Sequence, residues 1–306
     1  PLYDTPRAVS TGPNWAYLRI AEGCDNRCAY CVIPSLRGKF RSRTKESILE
    51  EARLLAASGV KELIIVAQDI TRYGIDLYGK VCLTELLKEL CKLDFRWVRL
   101  HYLYPELIDD ELIDEIASED KIVKYLDIPI QHINDTILRR MNRRGTGEEI
   151  RALFKKLRER IPSLVLRTSL ITGLPGEGEA EFEELCDFLR EAKIERAGVF
   201  PYSPEEGTPA ALMPDRCSTE EAQRRAELCM EIQAEIMDGF AETFIGRELD
   251  VLVMGREPDG TPWGRSEYDS PDIDSRVIFS GDAAPGDMVR VRIDSVDDGE
   301  LIGEQI

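Results

Sequence analysis

Short apolar runs alternate with amphipathic stretches along the first 200 residues. Short runs bounded by polar or glycine residues are typical of buried strands, and six are predicted, at 15–20, 62–66, 97–100, 124–128, 164–171 and 197–200. Between them, apolar residues recur at helical spacing, which predicts helices at 44–58, 83–90, 106–117, 146–160 and 179–192. This alternation predicts an α/β fold with a parallel sheet and right-handed crossovers.

The pattern changes from about residue 213 onwards. A connecting helix is predicted first, and the apolar residues that carry it are Leu228, Ile232, Ile236 and Phe240. Short strands are predicted beyond it at 249–253, 275–279 and 289–293, separated by Pro-Asp-Gly, Ser-Gly-Asp and Asp-Asp-Gly turns. We expect a small antiparallel β-barrel of the oligonucleotide-binding (OB-like) kind there. The predicted domains are therefore residues 1–240 and 241–306.

Charge is unevenly distributed along the 306 residues, whose net charge is −18. Residues 241–306 contain 16 acidic residues and 6 arginines but no lysine, which gives a net charge of −10. A module that holds RNA should carry Lys and Arg against the phosphates. An acidic surface instead attracts a basic partner, although it can also serve solubility alone. The charge argues against RNA as the partner.

Nothing in the sequence indicates a membrane segment or a secretion signal, since no apolar run is long enough to span a bilayer. We therefore expect a soluble cytoplasmic protein with no membrane partner, whose thiols stay reduced. The first residue is Pro1 rather than Met, which predicts a fragment or a processed chain.

Three cysteines lie within eight residues, at Cys24, Cys28 and Cys31. The C-x3-C-x2-C spacing gathers three thiolates, which favour iron-sulfur clusters and zinc. A four-iron cluster usually takes four cysteines, so three leave one iron open to a small molecule. Structural zinc would need a second Cys or His pair, but the only histidines are His101 and His132. The other cysteines are scattered, at Cys82, Cys91, Cys186, Cys217 and Cys229.

Polar and glycine residues follow the predicted strands at the point where each strand ends. The carboxyl ends of such strands meet at one rim, where barrel active sites lie. Besides the cysteine loop, the segments at this rim are Gln68-Asp69, His101-Tyr102, Gln131-His132 and Gly173 to Glu177. Within the fifth strand, Arg167 needs an anionic partner if it is buried. No Ser-His-Asp or paired-carboxylate arrangement is present, so acid–base catalysis by side chains is not expected.

The cysteine motif resembles that of the radical S-adenosylmethionine enzymes, in which an aromatic residue, here Tyr30, precedes the last cysteine. The flanking residues 16–24 and 32–43 are similar to the methylthiotransferase branch of that family. Residues 126–132 and 138–143 are similar to the methylthiotransferases that modify a ribosomal protein, whereas their tRNA-modifying relatives more often have Ser after the glutamine.

Residues 263–274 resemble the TRAM domain that closes these enzymes. The family resemblance implies a partial (βα)6 radical S-adenosylmethionine barrel followed by that domain. It also implies a [4Fe-4S] cluster on the three cysteines, with S-adenosylmethionine at the open iron, where an electron cleaves it to a 5′-deoxyadenosyl radical. The residues expected to contact this coenzyme are Tyr30, Gln68, Asp69, Gln131, Arg167, Gly173 and Glu177, with His132 considered as a substrate contact.

Each rim residue also has a purely structural interpretation. Asp69 suits the N-cap of the segment that follows it, and Arg167 suits a salt bridge within the protein. The glycines of Gly173 to Glu177 let the backbone approach a flat ring, but the segment also suits a plain turn into a helix. Gln131 and His132 could satisfy loop carbonyls. The sequence leaves both interpretations open.

The resemblance implies an enzyme that places a methylthio group on the β-carbon of an aspartate in ribosomal protein S12. Removal of hydrogen by a radical needs no general base, and the protein would bind, orient and shield the reacting groups. One alternative is a tRNA methylthiotransferase acting at C2 of adenosine. The other is a non-catalytic ribosome-binding module that contains structural zinc.

Relatives in this family have an N-terminal domain with three further cysteines for a second [4Fe-4S] cluster, and none of it precedes Pro1. We therefore expect the chain to cleave S-adenosylmethionine but not to complete methylthiolation alone. The expected partners are the basic ribosomal protein or the ribosome, and an electron donor such as flavodoxin or ferredoxin.

Overall fold

The computed structural model describes residues 11, 12 and 14–306, so Pro1 lies outside the described residues. In chain order, the strands in this part are β1 Trp15–Arg19, β2 Ala21–Glu22, β3 Arg41–Ser42, β4 Glu62–Val66, β5 Trp97–Leu100, β6 Ile122–Asp127, β7 Val165–Thr172, β8 Arg196–Pro201, β9 Glu248–Arg256, β10 Pro262–Ser266, β11 Val277–Ser280, β12 Met288–Asp297 and β13 Glu300–Gln305. The helices are α1 Ile33–Arg37, α2 Lys45–Ala57, α3 Ile75–Tyr78, α4 Leu83–Leu90, α5 Asp110–Ser118, α6 Asp135–Arg140, α7 Gly147–Arg160, α8 Glu179–Ala192 and α9 Thr219–Glu242.

Six strands form one parallel sheet in the order β1-β4-β5-β6-β7-β8. Each connection between neighbouring strands contains at least one helix. Because β1 and β8 are the two edges, the sheet is an open barrel of six βα units. The predicted α/β fold with six parallel strands is confirmed.

The two faces of the sheet carry different side chains, because successive residues of a strand point in opposite directions. Leu63, Leu100, Leu126 and Leu166 share one face and are fully buried in the main hydrophobic core. The opposite face carries polar residues such as Arg99, Tyr125 and Arg167. This alternation gives the sheet an apolar side under the helices and a polar side.

Local sequence signals account for where the helices begin. The Thr44 side chain accepts a hydrogen bond from the N–H of Ser47 at the start of α2. A capping box, in which Thr146 and Glu149 bond each other's backbone, begins α7. The predicted helix at 106–117 begins later, at residue 110, because Pro105–Leu107 forms a 3-10 turn and Asp109 caps α5.

The C-terminal strands close into a five-stranded barrel in the order β10-β11-β13-β12-β9. Its pairs are antiparallel except β11 with β13, which are parallel. The three predicted strands are present, and β10 and β13 are additional. Their sequences, Pro-Trp-Gly-Arg-Ser and Glu-Leu-Ile-Gly-Glu-Gln, contain Gly, Pro and charged residues that lower strand propensity. Among the described helices, none has the length and apolar character needed to cross a membrane.

The barrel packs against the amino ends of the sheet strands through a second hydrophobic cluster, in which Trp97, Tyr125 and Val165 of the sheet meet Phe244 and Val251. A buried charge network accompanies this contact. Glu62 at the start of β4 accepts hydrogen bonds from Arg99 at 2.6 Å and from Arg265 of β10 at 2.5 Å. The barrel is therefore fixed to the sheet by apolar packing and by buried ion pairs.

Candidate active site

The cysteine loop connects β2 to α1 at the carboxyl end of the sheet. Gly23 opens the loop with φ of 80°, and a Cβ on this residue would lie 2.2 Å from the carbonyl oxygen of Lys39. Only glycine fits here, because the backbone approaches that carbonyl too closely for a side chain. The next N–H, that of Cys24, donates to the Gly38 carbonyl at 3.1 Å. The loop is thereby folded back against the chain that follows α1.

Residues after α6 hold the other side of the cysteine loop. The N–H of Ala29 donates to the Met141 carbonyl at 2.9 Å, and the Asn142 side chain donates to the Arg27 carbonyl at 2.7 Å. Asn142 has a φ of 54°, in the region that Asn tolerates better than most residues. One backbone N–H and one backbone carbonyl of the loop are thus tied to a segment more than 100 residues away.

The three thiols differ in their surroundings. Burial raises the pKa of Cys24 to about 11, against the N–H of Asn26, and burial likewise raises the pKa of Cys31. A buried thiol with a raised pKa stays protonated unless a cation replaces the proton, as a metal or cluster iron does. Within residues 11, 12 and 14–306, no three His, Cys, Asp or Glu side chains are grouped closely enough to hold a single metal ion. Each cysteine that holds an iron–sulfur cluster binds a different iron, so cluster ligands need not converge on a single ion.

Cys28 alone of the three has hydrogen-bond partners among described side chains distant in sequence. The Tyr104 hydroxyl lies 3.3 Å from its Sγ, and one guanidinium N–H of Arg143 points at it from 3.8 Å. Arg143 also donates to the Pro129 carbonyl at 2.6 Å and stacks on the Tyr104 ring, 4.4 Å from its centroid. Arg143 is buried, and in the described part of the chain its Nε has no hydrogen-bond partner and no carboxylate forms an ion pair with it. An anionic group on the cysteines would fit this unpaired cation.

Asp69 is fully engaged within the protein. One carboxylate oxygen accepts from the Thr71 N–H at 3.1 Å and from its hydroxyl, so Asp69 caps a 3-10 turn as the structural interpretation anticipated. The other oxygen accepts from the Asn26 side chain at 3.0 Å, which fixes the cysteine loop. Its neighbour Gln68 is half-buried, and its Oε1 makes no hydrogen bond in the described structure. Gln68 therefore offers an acceptor that Asp69 does not.

Gln131 has a strained backbone at the rim. Its φ is 70°, yet its N–H donates to Ser169 at 2.9 Å and its carbonyl accepts from Ile171 at 2.8 Å. Left-handed conformations cost a residue with a side chain about 1–2 kcal/mol. At the neighbouring strand end, Tyr102 has φ of 62° and is exposed. Such strain concentrates at functional sites, and here two adjacent strand ends carry it.

His132 and Glu177 lie together in the interior. Nε2 of His132 is 3.2 Å from Oε2 of Glu177, and both side chains are almost inaccessible. The other Glu177 oxygen accepts from the Gly173 N–H at 2.8 Å and from Arg225 of α9 at 2.9 Å. This buried group joins the loops after β6 and β7 to helix α9, so both residues have structural partners.

Gly173 and Arg167 have structural partners as well. A Cβ on Gly173, whose φ is 75°, would lie 2.4 Å from the Cβ of Ala222, so its glycine is explained by the close packing of α9. Arg167 donates to Asp127 at 2.9 Å, the salt bridge that the sequence left as an alternative. The coenzyme contacts that were expected for these two residues stay predictions.

Burial strongly raises the pKa of Tyr30, against the influence of Arg143. Tyr30 therefore stays a neutral hydroxyl beside the cysteines. Sequence reasoning missed three further residues at this site, which are Asn26, Tyr104 and Arg143. Arg143 lay in a segment used only for its family resemblance, and no local pattern indicated that it would reach Cys28.

Known proteins resemble this chain in both sequence and structure. The model of the Radical SAM superfamily matches residues 18–189, and that of the TRAM domain matches residues 245–306. Solved structures that share the fold include the following two. Coproporphyrinogen III oxidase (HemN) from Escherichia coli, a radical SAM enzyme, aligns with a TM-score of 0.55 and 20% identity, covering 74% of this chain and 54% of that one. The methyltransferase TsrM from Kitasatospora setae aligns at 0.54 and 19%, covering 64% and 38%.

Curated relatives are much closer in sequence. The ribosomal protein uS12 methylthiotransferase RimO of Caldanaerobacter subterraneus subsp. tengcongensis is 49% identical over 302 residues, covering 98% of this chain and 69% of the relative. That of Pelotomaculum thermopropionicum is 51% identical over 306 residues, with the same coverage. With half of its positions shared along almost its whole length, and with the cysteine loop and both domain matches in place, this chain belongs to the RimO family of radical SAM methylthiotransferases.

Proposed function

We propose that this chain holds a [4Fe-4S] cluster on Cys24, Cys28 and Cys31, binds S-adenosylmethionine at the open iron, and cleaves it for the methylthiolation of an aspartate of ribosomal protein uS12. The observation that carries the proposal is the 49–51% identity to uS12 methylthiotransferases over 98% of the chain. Buried thiols beside an unpaired guanidinium, that of Arg143, support the anionic cluster.

When bound, the cluster and S-adenosylmethionine supply one-electron chemistry that makes an unactivated C–H bond reactive. The chain's own residues bind, orient and exclude water. Asp69 holds the cysteine loop through Asn26, and the Met141 carbonyl holds it at Ala29. These contacts restrain the loop that carries the three thiols.

Among the rim residues, we assign coenzyme contact first to Tyr30, Gln68, Gln131 and Arg167. Gln68 has a buried oxygen without a hydrogen-bond partner among the described residues, and Gln131 keeps a strained backbone. Arg167 has 17% of its side chain exposed and uses one amino group for Asp127. We assign Asp69, Gly173 and Glu177 to supporting the loops, and the burial of His132 favours the same role rather than substrate contact.

The C-terminal barrel is proposed to face a basic protein rather than tRNA. Of its arginines, Arg256, Arg276, Arg290 and Arg292 each form ion pairs with acidic side chains of the barrel itself. Arg265 is buried against Glu62. Because these cations are already neutralised, the excess of acidic residues dominates the surface potential. A positively charged ribosomal protein complements such a surface, and a phosphate backbone does not.

Several further assignments belong to the same proposal. We keep residues 1–240 and 241–306 as the two domains, with α9 in the first. The remaining five cysteines are scattered, so we do not assign a second cluster to them. A ribosomal substrate implies the cytoplasm, and the cluster requires a low-potential one-electron donor such as flavodoxin or ferredoxin.

The proposal is tested by anaerobic reconstitution with iron and sulfide, followed by incubation with S-adenosylmethionine and dithionite. We expect about four irons per chain and formation of 5′-deoxyadenosine, which uS12 raises and tRNA does not. Cys28→Ala removes one of the three thiolates, so iron and product should both fall to background. Iron analysis and chromatography of the nucleoside product measure the two outcomes.

Cys91→Ala is the matched control, because Cys91 is also buried but lies at the end of α4, outside the cysteine loop. It should retain the iron and the product. Zinc in place of iron, or stimulation by tRNA instead of uS12, would contradict the proposal and favour one of its alternatives.

A further inference from the structure

We propose that Arg143, together with Tyr104, is the built-in counter-charge of the cluster at Cys28 and raises its reduction potential. The inference rests on the proposed cluster and goes beyond it, since it concerns residues outside the cysteine motif. Arg143 lies 115 residues from Cys28 along the chain. It acts as a positioning residue, because it touches a ligand of the cluster rather than the substrate.

The first argument is the cost of burying Arg143. The residue is 8% exposed, its Nε has no hydrogen-bond partner in the described structure, and no described carboxylate forms an ion pair with it. Glu106, whose charge is near enough to interact with Arg143, is exposed and makes no such pair. An uncompensated buried charge costs several kcal/mol. Such a cation is retained at less cost where an anion binds, and the anion that would form beside it is the Cys28 thiolate.

The second argument is the rigidity of the arrangement. The Arg143 guanidinium is held by the Pro129 carbonyl at 2.6 Å and by the Tyr104 ring beneath it. The backbone N–H of Tyr104 is directed at the Thr71 hydroxyl at 3.4 Å, and Thr71 in turn bonds Asp69, which fixes the cysteine loop. The cation and the thiol are thus positioned by one connected network. A charge held in place stabilises an anion without the cost of reorganising first.

The third argument is the difference between the three cysteines. Cys24, which is buried, and Cys31, which is half-buried, lie near the backbone N–H groups of Asn26 and Ile33. Cys28 receives a hydroxyl and a guanidinium in addition. Hydrogen bonds and positive charge at the sulfurs raise cluster potentials, since each added electron makes the cluster more negative. The electron comes from the one-electron donor named above, and Arg143 favours its arrival.

The test is a redox titration of the reconstituted protein, followed by the electron paramagnetic resonance signal of the reduced cluster. Arg143→Met removes the charge at similar length, so the midpoint potential should shift to a more negative value. Arg143→Lys, which keeps the charge but not the planar stacking, should shift it less. Tyr104→Phe removes one hydrogen bond and should also give a smaller negative shift. Arg144→Met, at the exposed neighbouring residue, makes the same charge change and should leave the potential unmoved.

The outcomes separate this inference from the proposed function. A wild-type protein that binds no four-iron cluster refutes the function and the inference together. A wild-type cluster with an unchanged potential in Arg143→Met, at equal iron content, refutes the inference alone. If Arg143→Met fails to hold iron, the decision passes to Arg143→Lys and Tyr104→Phe. A potential equal to wild type in both of those variants overturns the proposal.

Discussion

Buried arginines lie at both ends of the sheet, and they are neutralised in different ways. At the amino ends of the strands, Arg99 and Arg265 share the carboxylate of Glu62, at 2.6 and 2.5 Å. Arg143, near the carboxyl ends, is also buried but has no acidic partner in the described structure. Buried arginines are therefore paired with a carboxylate at the amino ends, whereas the buried Arg143 near the carboxyl ends has no such partner among the described residues.

The difference indicates which end is complete without a ligand. Burial acts to raise the pKa of Glu62, yet Arg265 and Arg99 together hold it below its ordinary value, so the carboxylate stays charged. This group joins the barrel to the sheet and needs nothing more. The carboxyl ends of the strands have a buried cation, buried thiols and a strained strand end. An added anion would balance the charge of that cation.

The largest expected effect comes from removing the carboxylate that neutralises the two buried arginines at the amino ends. Glu62→Gln leaves two buried guanidinium groups without a charged partner, so the free energy of unfolding should fall by about 3–5 kcal/mol. Urea denaturation of the cluster-free protein, followed by circular dichroism, measures the change.

Glu85→Gln is its control, because Glu85 pairs with Lys45 and Lys80 at the surface. Exposed pairs contribute about 0–1 kcal/mol, so that variant should unfold almost like wild type. Equal stabilities for Glu62→Gln and Glu85→Gln would show that the buried pairs do not fix the barrel to the sheet.

The sequence predicted the sheet because its signal is local. Apolar runs such as Leu63 to Val66 are bounded by polar residues, and each run forms a strand within two residues of the expected position. The cysteine trio was found for the same reason, since three ligands in eight residues are visible without a structure. Strands β10 and β13 were missed because their glycines and charged residues weaken that local signal.

The charge balance could not be predicted in this way, since it depends on contacts between distant segments. Glu62 precedes an apolar strand and suits a solvent-exposed start, yet Arg265 reaches it from 203 residues away. Arg143 follows two other arginines, and nothing in that run distinguishes the buried one. Only the packing of α6 against the cysteine loop determines which arginine faces a thiol.

A second way to sharpen the comparison uses acid at a buried contact between the sheet and the barrel domain. His101 is buried, with Nε2 3.1 Å from the Ser270 hydroxyl of the barrel domain. Burial and then the charges of Arg99 and Arg167 lower the pKa of His101 to about 3, against Glu62. Below its ordinary pKa of about 6.5, the unfolded chain binds a proton that the folded chain does not. Stability should therefore fall as the pH decreases, by about 2 kcal/mol between pH 7 and 5.

His101→Gln keeps a polar group there but does not titrate. We expect the wild type to lose about 2 kcal/mol more than this variant between pH 7 and 5, as measured by urea denaturation at each pH. Between pH 7 and 8 the two proteins should change in parallel. If the free energies of unfolding of the two proteins also fell in parallel below pH 7, His101 would be protonated in the folded state.

The smallest expected effect, and the one that most directly tests the unpaired end, is that of Arg143→Met on the protein without a cluster. Removing an unpaired buried charge relieves its desolvation cost, which offsets the lost hydrogen bond to Pro129 and the stacking on Tyr104. The free energy of unfolding should change by no more than about 1 kcal/mol, far less than for Glu62→Gln. A loss of about 3 kcal/mol or more in urea denaturation would mean that Arg143 already has a strong partner without the cluster. The buried arginines at both ends of the sheet would then be neutralised by the protein itself. The proposal of an anion at the cysteines would lose its electrostatic support.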